Sequence, residues 1–218
     1  MPRTYEPLPQ NGRIEICGGI ASGKTTLAHL LSRLHISPVL ENFQANPFWK
    51  SFYADPVGTA FETEISFLLQ HYHEIKAATK RNHAFTCDFS LMLDLAYAYV
   101  TLSERKRNAF LTVWGEIQED LQAPRLLIHL VCEPDVELDR IRGRAREVEK
   151  SITIGYLEAL NEALAEVINT EAKSCRVIVI NSNAVNFADD EAAKKSVLEL
   201  TRTNLGHPSA PKRPPYVN

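Results

Sequence analysis

Apolar residues are distributed along the chain in two alternating textures. Five short runs are dense in β-branched and other apolar side chains, and they predict strands over Arg13 to Cys17, Pro38 to Glu41, His83 to Asp88, Leu126 to Cys132 and Arg176 to Asn181. Between them apolar positions return every three or four residues. This spacing predicts helices over Lys24 to Leu34, Gly58 to Lys80, Leu91 to Thr101, Glu104 to Leu121, Pro134 to Val148, Ile154 to Glu171 and Ala188 to Thr203. Strands separated by helices join through parallel crossovers and are covered on both faces. The expectation is therefore an α/β fold, a five-stranded parallel sheet with helices on both faces. Both ends of the chain break the pattern. Residues 1–12 are polar and proline-bearing, and residues 206–218 carry four prolines and little apolar material, so the pattern predicts a flexible N-terminus, a single domain over 13–205 and a disordered, proline-rich tail.

Composition narrows the partners more than the fold. A formal net charge of -3 provides no basic field to attract nucleic acid or anionic lipid, so a small molecule is the expected partner. No stretch approaches the roughly 18 consecutive apolar residues of a membrane span, and the first dozen residues are not signal-like. The four cysteines match no metal-ligand spacing and read as reduced core residues of a cytoplasmic protein.

The strongest chemical signal is the run Gly18-Gly19-Ile20-Ala21-Ser22-Gly23-Lys24-Thr25, which fits G-x-x-x-x-G-K-[ST] between a predicted strand and a predicted helix. Here the glycines turn backbone N–H groups toward a phosphate, and the start of the helix offers its dipole to the same anion. Lys24 adds a point charge on the β- and γ-phosphates. The Thr25 hydroxyl, with Thr26 beside it, suits Mg²⁺. ATP and Mg²⁺ are the expected cofactors of a P-loop NTPase fold, while the motif alone leaves the phosphoryl acceptor open.

Two carboxylates end predicted strands, Glu41 and Asp88. Ligands of such sheets collect at the carboxyl ends of the strands, so one of the two carboxylates could take a proton from an acceptor hydroxyl while the other supports Mg²⁺. Asp88 reads equally well as the N-cap of the next helix. Further along, Arg140, Arg142, Arg144 and Arg146 form a basic cluster, expected as a lid over about residues 140–152 that neutralises charge on the transferred group; the alternative is a solvated basic face balanced by its acidic neighbours.

These motifs, in this order and spacing, resemble the deoxynucleoside kinases. The resemblance spans roughly Ile14 to Leu164 and rests on the phosphate loop, Leu40-Glu41-Asn42-Phe43, Asn46-Pro47-Phe48, Ala60-Phe61-Glu62-Thr63-Glu64, Asp88-Phe89-Ser90 with Asp94, Arg140-x-x-x-Arg144-x-Arg146, Glu149 and Tyr156-Leu157. It implies transfer of the γ-phosphate of ATP to the 5′-hydroxyl of a deoxynucleoside by a homodimer. Glu41 then matches the general base and Asp88 the acid of an E/D-R-S motif, near Mg²⁺ and the 5′ end of the sugar. Arg140, Arg144 and Arg146 match lid arginines, and Glu149 matches an acid that contacts the sugar. Phe48, Trp49, Phe61 and Tyr97 are candidates to sandwich the base, and His71 with Asp94 falls where the family pairs an arginine and an aspartate beneath it.

Two departures stand out. Phe89 replaces the motif arginine, removing a positive charge beside the reacting hydroxyl. Glu64 replaces a base-reading glutamine. An ionised Glu64 would accept from the two donors of guanine, whereas a protonated one would behave as glutamine does; in a slipped register Gln70 would read the base instead. A kinase of a nucleoside monophosphate or another small metabolite, and a catalytically weakened ATP-binding regulator, are the competing readings. Scarce arginine between Glu41 and Asp88 argues against the monophosphate acceptor.

Overall fold

The computed structural model describes residues 12–206 and 216–217. All five predicted strands form: β1 (Arg13–Gly18), β2 (Ser37–Val39), β3 (Phe85–Cys87), β4 (Leu126–Val131) and β5 (Arg176–Asn181). They make one parallel sheet in the order β2-β3-β1-β4-β5, with β6 (Tyr216–Val217) added beside β5. The first predicted segment, 1–12, lies outside the described residues apart from Gly12. Of the tail predicted over 206–218, Gly206 closes the last helix and Tyr216–Val217 pairs as a strand; the remainder lies outside the described residues.

Successive side chains of a strand point to opposite faces, and the two cores follow from that. Ile14 and Ile16 of β1, Ile128 of β4 and Ile178 of β5 face α1 (Lys24–Leu31) and the final helix, burying Leu27, Leu31, Val197 and Leu205 against them. Cys17, Cys87 and Leu127 face the other way. There they meet α3 (Pro56–Thr79), α4 (Leu91–Thr101), α5 (Glu104–Asp120) and α7 (Ile154–Glu171), which contribute Leu68, Leu95, Phe110 and Leu164. Two helices complete the described set before the last: α2 (Trp49–Ala54) and α6 (Pro134–Arg144), with α8 running over Glu191–Leu205.

Helix ends depart from the sequence pattern where side-chain caps intervene. α3 begins at Pro56 instead of Gly58 because the Asp55 carboxylate accepts from the Gly58 N–H at 3.0 Å and proline tolerates the first helical position. α6 stops at Arg144, four residues short of the expected end, since Ala145 turns left-handed at φ 51°. α2 was not expected; its six residues are too few to display a period.

Leu68 and Leu69 of α3 provide a direct test of which face is buried, being 0% and 47% exposed respectively. Leu68→Ala should destabilise the protein by about 2–5 kcal/mol, and Leu69→Ala by about 0.5 kcal/mol at most, as read from urea unfolding midpoints.

Candidate active site

The sheet's carboxyl edge carries a cavity of about 700 Å³, in the size range of small-molecule sites. The phosphate loop forms one end of it, after β1. Ala21 at φ 65° and Gly23 at φ 104° make the left-handed turns that wrap the loop before α1 begins at Lys24. The buried Lys24 ammonium donates to the Gly18 and Gly19 carbonyls at 2.9 and 2.8 Å. Burial lowers its pKa, opposed by the nearby carboxylates of Glu41, Asp88 and Glu137. Ala21, Gly23, Lys24, Thr25 and Thr26 line the cavity, whereas Gly18, Gly19 and Ser22 stand behind it. Gly19 packs so tightly that a Cβ there would come 2.1 Å from Glu137 Oε1 and 2.5 Å from Asn161 Oδ1.

Asp88 joins the loop to the far side of the sheet. Its Oδ2 accepts from the Thr25 hydroxyl at 2.6 Å, and its Oδ1 accepts from the Glu41 backbone N–H at 2.6 Å. It does not cap α4, as the sequence allowed, because the Ser90 hydroxyl takes that role by accepting from the Leu93 N–H at 3.1 Å. Both Asp88 oxygens are thereby left for the site. Thr25 and Asp88 together offer the hard oxygen donors that suit Mg²⁺, which takes few protein ligands beside phosphate and water.

Glu41 lies beyond β2 with its carboxylate 3.2 Å from His71 Nε2. Burial pushes its pKa up, but His71, Lys24 and Arg146 outweigh burial and bring it below the ordinary carboxylate value. Deeper in the cavity, Glu64 is buried on α3 and accepts from the Thr101 hydroxyl at 3.2 Å. Burial first, then the Asp94 charge, raise it to about 8. The side chain is therefore a neutral acid at pH 7, with one donor and one acceptor. The neutral form lacks the paired acceptors that an ionised Glu64 would offer guanine; His71 lowers the pKa but does not outweigh burial. Gln70 does not line the cavity; its amide donates to Asn42 O and Glu74 Oε1.

The walls are aromatic, but not quite those expected. Tyr97 and Phe89 line the cavity, as does Trp49, joined by Phe43, Phe52, Tyr53, Phe67 and Tyr156. Phe48 and Phe61 do not. The apolar face of α2 is set by Trp49, Phe52 and Tyr53 at helical spacing, which leaves Phe48 before the helix, and Phe61 turns toward α5, where Lys106 lies 6.0 Å over its ring. Trp49 is the one member of this face that the sequence suggested; Phe52 and Tyr53 join it only once α2 forms.

The arginines separate. Arg140 is tied down, donating to Ala21 O at 3.3 Å and Ser182 O at 2.9 Å, so it braces the phosphate loop against the end of β5. Arg144 lines the cavity. Arg146, past the end of α6, donates to the buried Glu149 at 3.0 Å and stacks 4.8 Å over Phe43. Sequence reasoning missed Glu137, which is fully buried beside the phosphate loop, hydrogen-bonded by Asn161 at 3.0 Å and raised to about 7 by burial. In sequence it looks like any acid in a helix's first turn, and only the packing of α6 on α7 reveals it.

Comparison with known proteins agrees with this arrangement. A family model described as deoxynucleoside kinase matches residues 14–205. A deoxyadenosine kinase of Dictyostelium discoideum is 28% identical over 184 residues, covering 82% of this chain and 74% of its own. A deoxyguanosine kinase of Bacillus subtilis is 30% identical over 152 residues, covering 67% of this chain and 73% of its own. Among solved structures, a deoxyadenosine kinase from M. mycoides superimposes with a TM-score of 0.76 at 21% identity, covering 88% of this chain and 99% of that one, which shows the shared fold. With a phosphate loop, strand-end carboxylates and an aromatic cavity in one constellation, the chain belongs to the deoxynucleoside kinase family, phosphotransferases that use ATP and act on a hydroxyl group.

Proposed function

We propose that the cavity binds ATP at the phosphate loop and a deoxynucleoside between the aromatic walls, and that Glu41 removes the 5′-hydroxyl proton as that oxygen attacks the γ-phosphorus. The bond from the γ-phosphorus to the bridging oxygen breaks and ADP leaves. The observation that carries this reading is the double hydrogen bond of Asp88, which sets Glu41 beside Thr25 at the phosphate end of the cavity. A lowered pKa keeps Glu41 ionised at neutral pH, ready to accept that proton.

Mg²⁺, which neutralises phosphate charge when bound, would be held by Thr25 and Asp88. Lys24 and Arg144 would face the charge developing on the transferred group, and Arg146 would move with Glu149 as the lid over the sugar. Neutral Glu64, with Thr101 fixing one oxygen, offers the base an O–H donor and a carbonyl acceptor, the complement of adenine or cytosine. A cytoplasmic homodimer is the accompanying proposal. It rests on the family resemblance and on four free, buried cysteines.

Three outcomes are expected. Glu41→Gln should retain ATP binding but cut kcat with deoxynucleosides by about a hundredfold or more, measured by ADP release; full turnover in this variant would remove Glu41 from the mechanism. Chelation with EDTA should abolish turnover and added Mg²⁺ should restore it, through Thr25 and Asp88. The third concerns pH. Glu64 holds its proton in the folded state up to about 8, whereas the unfolded chain releases it near 4.5, so stability should fall as pH rises between those values and level off above them. Glu64→Gln should flatten that part of the stability profile while leaving turnover at neutral pH nearly unchanged.

A further inference from the structure

His71 is 1% exposed, yet both of its ring nitrogens face carboxylates. Nδ1 lies 3.0 and 2.9 Å from the two oxygens of Asp94 on α4, and Nε2 lies 3.2 Å from Glu41 Oε1. The faces of the ring are closed as well. Phe89 stacks on it with centroids 4.1 Å apart and 9° between the planes, and Phe67 covers the other side at 5.8 Å and 30°. The imidazole therefore has one seat, stacked between two rings and hydrogen-bonded at Nδ1 by Asp94, with Glu41 in ion-pair reach of a buried Nε2 that makes no other polar contact.

A neutral imidazole carries a single N–H and would turn a lone pair toward one of the two carboxylates; an imidazolium offers an N–H to each. Burial alone would discharge the ring, but Asp94 and Glu41 outweigh it and raise His71 to about 10. Glu15 from β1 and Glu74 from α3 reach the ring and act in the same direction, whereas the protonated Glu64 of α3 lends it no charge at neutral pH. Glu41 in turn feels Lys24 from α1 and Arg146 from beyond α6, with the Tyr53 phenol of α2 nearby.

We propose that His71 is a positioning residue for phosphoryl transfer, a standing cation anchored by Asp94 that orients the Glu41 carboxylate for proton removal. The row Asp94, His71, Glu41 runs from the interior of α4 to the reacting end of the cavity, and each member fixes the next. Phe89 contributes the flat surface that holds the ring in register, so a residue that carries no charge supports one that does. This inference rests on Glu41 being the general base, and its test separates the two.

For His71→Gln, which has no charge to lend, kcat should fall about tenfold or more while KM for ATP stays put. Restoring a cation with His71→Arg should return kcat toward its original value. An unchanged kcat in His71→Gln, or a loss that His71→Arg does not relieve, in a protein whose Glu41→Gln variant is inactive, overturns the role of His71 and leaves the base intact. If Glu41→Gln itself turns over normally, the base assignment fails and the proposal fails with it. Should His71→Gln not fold by circular dichroism, ¹⁵N NMR of the unmodified protein decides: both His71 nitrogens should remain protonated at about pH 8, and a neutral tautomer there overturns the proposal.

Discussion

The carboxylate of Asp88 is the joint on which the site depends. It receives the Thr25 hydroxyl from the helix that follows β1 and the Glu41 N–H from the segment that follows β2. Those strands are not neighbours; β3 lies between them, and Asp88 follows β3 directly. The sheet order thus brings three strand ends to one carboxylate, and parallel register makes them end at the same edge. Ser90 is a quiet requirement of the same joint, because by capping α4 it relieves Asp88 of a task that would occupy one of its oxygens.

Around that joint acids and cations are gathered together, and the acids are accommodated in two ways. Where nearby cations outweigh burial the acid stays ionised, as Glu41 does beside His71 and Lys24. Where burial outweighs them, as it outweighs His71 at Glu64 and Lys24 with Arg140 at Glu137, the pKa rises, to about 8 and about 7. The same residue type consequently serves as proton acceptor in one place and as hydrogen-bond donor in another, a few residues' width apart. Burial and neighbours, not residue type, divide these tasks.

The sheet and its phosphate loop were legible because they depend on local pattern: apolar runs, helical spacing, and glycines at fixed offsets. Glu41 and Asp88 were legible as strand ends for the same reason. What the sequence concealed were tertiary matters. The stack of His71 on Phe89 joins residues from α3 and the turn after β3, and no spacing announces it. The charge state of Glu64 depends on how deeply α3 and α4 bury it, which the residue name does not disclose. The short α2, with its aromatic face, fell below the length at which a helical period can be recognised. Phe48 and Phe61 are aromatics in the right neighbourhood, but Phe48 precedes α2 and Phe61 turns toward α5.

The close seat of Gly19 against Glu137 and Asn161 bears on how this sequence can drift. By pattern, position 19 is a free letter of the phosphate loop, open to any residue. By packing it is crowded, since a Cβ there would overlap the ends of the Glu137 and Asn161 side chains, and both would have to shift. A change at 19 therefore bears on two neighbours at once. Among descendants of this chain positions 19, 137 and 161 should drift together, although 137 is 118 positions beyond 19 and neither the motif nor the reaction scheme connects them.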